Sequence, residues 1–328
     1  MKKIFFGILA MAALAACSTE EAIVTPKGEA IAFGNAFVDN SVRAEKADDP
    51  SYGTDKLLKE IYVYGTVTAT NTVSIFEYEK VWTTADDGDY TKAWQCDKTQ
   101  YWIAGGNYKF AAIAGIAEAD VTCTNGIPSS LNFTSDGITD LVYGYYAKDN
   151  AAKSGNGLVA FDMTHLLSKV KFTLQNTNVA AAEYKYTVTN VRISNASTKS
   201  TCALSTTKDG DKFKVSGAWT AATDDEKGQA FGNITTEDFT NGTDECEQEK
   251  LLIPMSNPTI QFTLALYYGN ELISSSDETF NPTVTLEQGK AYNFNIAVSV
   301  GEQIQFTVTE NPTWVTANDT TVTPAPLN

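Results

Sequence analysis

Glu60-Ile61-Tyr62-Val63-Tyr64-Gly65-Thr66-Val67 alternates residue by residue, and β-branched and aromatic side chains fill it. Side chains of a strand point to opposite faces in turn, so a period of two marks a half-buried strand, whereas a helix would show a period near 3.6. The same period recurs outward along the chain, over Tyr184 to Ile193, Ile260 to Tyr268, Tyr292 to Val298 and Ile304 to Val308. Gly, Asn, Asp and Pro separate these runs, as expected of strands joined by turns. Only Asp162-Met163-Thr164-His165-Leu166-Leu167 suggests a helical turn, with Asp162 or Thr164 as its cap. The pattern predicts an all-β protein built from antiparallel β-sandwiches.

At 328 residues the chain has room for two domains of ordinary size or one large all-β unit. The pattern breaks at Lys148-Asp149-Asn150-Ala151-Ala152-Lys153-Ser154-Gly155-Asn156-Gly157. A division there gives an N-terminal sandwich over 30–157 and a C-terminal one over 158–328. The 24 Lys+Arg against 40 Asp+Glu, net −16, disfavour a nucleic-acid partner, which needs basic patches. With 43% hydrophobic residues, 16 Phe, 15 Tyr and 5 Trp, the chain has ample core material.

One histidine and five cysteines leave little for a His-based metal centre or a Ser-His-Asp triad, so neither enzyme, metal nor cofactor is expected. His165, beside Leu166 and Leu167, reads as a satisfied packing residue. Asp86-Asp87-Gly88-Asp89 lacks the spacing and terminal Glu of a calcium loop, and Asp224-Asp225-Glu226 reads as a solvated turn. Trp82, Trp94, Tyr101 and Trp102 serve either as a sugar-stacking platform or, as is usual for aromatics in a sandwich, as core.

Residues 1–16 read as an export signal: Lys2 and Lys3 are the basic start, and Ile4 to Ala13 is apolar but too short to span a bilayer. Leu14-Ala15-Ala16-Cys17 looks like a bacterial lipobox, which makes Cys17 the lipidated residue and 17–29 a tether. The remaining Cys96, Cys123, Cys202 and Cys246 form no CxxC motif. An exported location permits disulfides; Cys96–Cys123 and Cys202–Cys246 would each stay within one half, and buried free thiols are the alternative.

Phe161-Asp162-Met163-Thr164-His165-Leu166-Leu167-Ser168-Lys169-Val170 resembles a mid-chain signature of Bacteroidia fimbrillin-like proteins, subunits of type V pili. Leu286-Glu287-Gln288-Gly289-Lys290-Ala291-Tyr292-Asn293-Phe294 resembles the same family's late strand, and Ile304 to Val308 followed by Trp314 fits its ending. Ser18-Thr19-Glu20-Glu21 resembles the surface-export signal of Bacteroidia lipoproteins, though a plain polar tether reads those residues equally well.

The resemblance implies two tandem transthyretin-like β-sandwich domains and a precursor carried as a lipoprotein to the outer-membrane surface and into a fimbrium. It implies a trypsin-like protease that cuts after an arginine following the first strand, and a donor strand from another subunit, of the same or a different kind, that fills the vacated groove. On this chain the removable strand maps to Ala30–Val38 with Ile31, Phe33 and Phe37, and the cut to the Arg43–Ala44 bond. The only other arginine, Arg192, lies within a strand-like run. The donor maps to Ile304, Phe306 and Val308, although this run also reads as the last fixed strand of its own domain, with the tail around Val322 then supplying any exchange. Any host protein or glycan ligand is left open. The alternative function is a monomeric surface lipoprotein that binds glycan through a sandwich face.

If the lipobox is used, Cys17→Ala abolishes metabolic labelling of the protein with a fatty acid. Labelling that persists in the variant contradicts the lipoprotein reading.

Overall fold

In the computed structural model, residues 28–38, 59–83, 94–176, 184–210, 212–220, 223, 227–234, 242–245, 249–298, 304–311 and 321–322 are described. Cys17, Arg43, Ala44, Asp86–Asp89, Asp224–Glu226, Cys246 and Trp314 lie outside the described residues. In chain order the strands are β1 (Phe33–Val38), β2 (Glu60–Thr68), β3 (Thr72–Trp82), β4 (Gln95–Cys96), β5 (Asn107–Ala114), β6 (Val121–Thr124), β7 (Ile127–Thr134), β8 (Val142–Lys148) and β9 (Val159–His165). There follow β10 (Ser168–Asn176), β11 (Tyr184–Ser197), β12 (Lys199–Asp209), β13 (Lys212–Trp219), β14 (Lys227–Ile234), β15 (Gly242–Glu245) and β16 (Lys250–Leu252). The last are β17 (Met255–Ser256), β18 (Ile260–Tyr268), β19 (Glu271–Phe280), β20 (Thr285–Leu286), β21 (Ala291–Val298), β22 (Gln305–Asn311) and β23 (Thr321–Val322).

The first sheet has seven strands in the order β1-β9-β8-β5-β2-β3-β4. It curls until its two ends meet. Trp94 N–H donates to the Phe33 carbonyl (2.9 Å), Ile31 N–H to Gln100 (2.8 Å) and Trp102 N–H to Glu29 (2.9 Å), so the segment carrying β4 also borders β1. Phe33, Phe76, Phe110, Phe161 and Trp102 fill the interior. The outer face of the same sheet offers Tyr64, Ala111, Ile113 and Tyr143, which pack under a second sheet, β13-β12-β7-β6, through Leu131, Phe133, Cys202 and Val215. Apolar matter on both sides explains why β2, alternating in sequence, is buried almost continuously from Val63 to Val67.

The remaining strands form a two-layer sandwich and, from β17 and β20, a separate two-stranded sheet. One sheet runs β15-β10-β21-β22-β23, with β16 also on β10, and the other runs β14-β11-β18-β19. Phe172, Phe231, Phe262, Phe280, Phe294 and Phe306 lie between them. Here one face is wet, and β21 keeps the clean in–out alternation that its sequence shows.

Several sequence expectations are corrected. Residues 162–167 form no helical turn: β9 buries Val159, Phe161, Met163 and His165 in alternation, because core lies only to one side of it at a time. Two pairings are parallel, β1 with β9 and β10 with β21, since these partners are joined by long crossovers and not by hairpins. The break expected between 157 and 158 falls in a connection between two strands of one sheet, β8 and β9. The β12–β13 hairpin, from the later half, pairs with β7 of the earlier one. The physical reason is the outer apolar face of the first sheet, which β6 and β7 alone are too narrow to cover.

The 161–172 stretch joins the two parts. Leu166 N–H donates to the Leu141 carbonyl (2.9 Å), Gly289 N–H to Leu167 (2.8 Å), and the Trp219 indole N–H to Leu166 (3.1 Å). Cys96, Cys123 and Cys202 are free thiols, so the Cys96–Cys123 pairing does not form. Burial pushes the Cys202 thiol up to about 12, and partial desolvation also raises Cys96 and Cys123, which disfavours the thiolate at each.

Phe294→Ala removes a fully buried ring stacked on Phe172 and Phe306. It lowers unfolding stability by about 3–5 kcal/mol in denaturant melts. Leu272→Ala, at a side chain 52% exposed, changes it by less than about 0.5 kcal/mol.

Candidate functional site: the seat of the first strand

Residues 28–38 enter the ring formed by the first sheet. Ile31 and Phe33 are buried, and Ala36 follows them into the same core. The alternation skips because the register of β1 on β9 shifts between Phe33 and Ala36. The side chain of Phe37 lies outside the described residues, and only its main-chain pairing with Asp162 is placed.

Phe33 is the centre of this seat. Its ring meets Phe76 edge-on at 5.3 Å and Phe110 edge-on at 6.1 Å, and it stacks on Phe161 at 6.4 Å. Gly65 makes the room: a Cβ there would stand 2.9 Å from the rings of both Phe76 and Phe110. Full burial of Ile31 and of Phe33 contributes about 1.5–3 kcal/mol each, and edge-on aromatic contacts add about 0.5–1.5 kcal/mol.

The main chain is held on both sides. Toward β9, Val159 N–H donates to the Ala32 carbonyl (2.9 Å), and the parallel ladder continues to Val38–Met163. Toward 94–102 run the three bonds that close the ring. Beyond Ile31, Glu29 N–H donates to the Lys153 carbonyl (2.8 Å), and the Glu29 carboxylate accepts from Gly155 N–H (2.6 Å). These last contacts were not legible as chemistry, because they are made mostly by backbone.

The donor candidate is also seated, in its own chain. β22 pairs antiparallel with β21 from Gln305–Ala297 to Asn311–Ala291. Phe306 and Val308 are buried, Phe306 stacks on Phe280 at 4.9 Å, and Ile304 packs against the same core. Glu310 accepts a bond from the Lys290 ammonium (2.6 Å), which also pairs with Glu287 (2.8 Å). β23 adds only Val308–Val322 and Thr309–Thr321.

Of the aromatics weighed as a sugar platform, Trp94 and Trp102 are 5% and 2% exposed and belong to the ring's core. Trp102 stands edge-on to Tyr108 at 4.6 Å. A stacking surface cannot use side chains that solvent does not reach, so that platform is not formed. His165 Nδ1 lies 2.7 Å from Asp140 Oδ2, both side chains 7% exposed, and tethers β9 to the loop before β8. A cleft of about 390 Å³ lies beside it, between β9 and the β12–β13 hairpin, and Lys212 bridges to Asp162 there at 3.1 Å. Among the described residues no cluster of His, Cys, Asp and Glu could hold a metal.

Among solved structures, a proposed cell adhesion protein from Bacteroides uniformis aligns with a TM-score of 0.48 at 15% identity, over 85% of this chain and 96% of its own. Another from Bacteroides ovatus gives 0.49 at 16%, over 89% and 99%. A fimbrial assembly protein from Parabacteroides distasonis gives 0.42 at 10%, over 86% and 96%. No curated protein matches the chain. Residues 1–18 match the prokaryotic membrane lipoprotein lipid attachment site, which includes Cys17. The fimbrillin-like profile matches residues 53–312, from ahead of β2 to the end of β22, and the chain belongs to the fimbrillin-like family.

Proposed function

We propose that this chain is a subunit of a cell-surface pilus, delivered to the outer membrane on the Cys17 lipid and joined to its neighbours by strand exchange. A trypsin-like protease hydrolyses the Arg43–Ala44 bond and so breaks the covalent link between the body of the protein and its lipid. The strand ahead of the cut then gives way to a strand of another subunit, of the same or a different kind.

One observation carries this reading: the first strand is a short N-terminal segment that supplies Ile31, Phe33 and Ala36 to a core otherwise built by later strands. Its loss leaves apolar pockets and unpaired backbone on both sides, which an added strand satisfies together. Arg43 follows within a few residues. The other arginine, Arg192, lies in β11 with its Nε–H on Gln261 (2.9 Å), a poor protease substrate.

The donor segment is better placed in the tail than at Ile304–Val308. Withdrawing β22 would strip Phe306 and Val308 from their own core. Among the described pairings, withdrawing β23 breaks two residue pairs, so we assign the donor to the tail around Val322.

Arg43→Ala leaves a full-length form that stays in the membrane fraction and stops fibre growth at that subunit. N-terminal sequencing and surface-fibre counts read this, and normal fibres built of uncleaved variant overturn it.

A further inference from the structure

We infer that the cut first strand does not fall away: residues 28–33 form a latch that keeps it bound as a peptide until another strand displaces it. The role of the latch in assembly rests on the pilus reading above; its physics rests on the ring alone.

From Glu29 to Phe33 the backbone is bonded on both sides, to Gln100, Trp102 and Trp94 on one and to Lys153 and Val159 on the other. From Ala36 to Val38 the described pairing is with β9, at Phe161 to Met163. The cut follows the C-terminal end of the segment in sequence. Hydrolysis of a bond ten residues downstream of Phe33 breaks none of the bonds described for Glu29 to Phe33 and leaves them in place. A strand that enters from the freed end meets the latch last.

Two residues make the latch without being core. Gly28 lies so close under the 94–102 segment that a Cβ would stand 2.1 Å from the Trp102 carbonyl oxygen and 3.1 Å from that of Lys153. These are backbone atoms, so the segment must shift to accommodate any side chain. Glu29 supplies the carboxylate that binds Gly155 N–H at 2.6 Å, a charge-assisted bond of the stronger kind. Its main-chain N–H holds the same loop at Lys153.

The test uses the full lipidated chain in detergent, with a site for a sequence-specific protease inserted between Asp48 and Asp49, so that it does not depend on the natural protease. The lipid holds the N-terminal fragment in micelles, and gel filtration shows whether the cut body stays with it. The cut wild-type body co-elutes with micelles and leaves them only slowly, and excess synthetic peptide of residues 28–38 speeds its departure. Glu29→Ala speeds departure about threefold or more, the change expected for a lost charge-assisted hydrogen bond that water partly screens, and Gly28→Ala speeds it because its Cβ pushes the segment off the Trp102 carbonyl. Uncut, both variants keep the wild-type far-ultraviolet circular dichroism at the assay temperature, and Glu29→Ala serves alone should Gly28→Ala not fold. A wild-type body that leaves the micelles as soon as it is cut overturns the latch, as does departure of Glu29→Ala at the wild-type rate. A latch that behaves as stated in a protein found to be absent from fibres would fault the pilus reading and leave the latch standing.

Discussion

The packing of Phe33 against Phe76, Phe110 and Phe161 inside a sheet that closes on itself is the constraint from which the rest follows. A core ringed by one sheet has no spare edge, so every stave must be present. The stave nearest the N-terminus comes first in the chain, so a single cut after it releases it without separating the later strands from one another. In the proposed exchange, the contacts that stabilise the fold are the ones a donor strand must replace. What fills the seat must offer a large apolar side chain where Phe33 sits and a backbone that bonds to both sides.

The later half carries its own core and also roofs the earlier one. The β12–β13 hairpin covers the outer face of the first sheet, and the 161–172 stretch runs from β9 of that sheet into β10 of the sandwich. His165 and Asp140, Trp219 and Leu166, and Gly289 and Leu167 pin this passage. In the proposed exchange, the seat of β1 therefore belongs to a body whose two cores are tied together by bonds remote from that seat.

Strand content was legible wherever only one face is buried. β11, β18 and β21 read directly from their period of two, because water lies opposite their cores. β9 did not: Asp162 and His165 carry polar groups at positions that the strand uses for an ion pair with Lys212 and for the bond to Asp140. The polar loop at 148–157 looked like a boundary, and it is instead the clasp that meets Glu29. Sequence pattern reports side-chain burial, and the seams around β1 are made by peptide groups that every residue possesses. For the same reason Arg43 stood out by composition, whereas Gly28 and the backbone bonds of 94–102 did not, although Trp94, Tyr101 and Trp102 stood out as aromatics.

The most direct measurement is the structure of native fibres containing this chain, with the strand between β9 and the 94–102 segment traced to its source. The account predicts a strand from a neighbouring subunit in that position, with a large apolar side chain against Phe76, Phe110 and Phe161. Residues 28–38 of the same chain found in that seat throughout the fibre would contradict it.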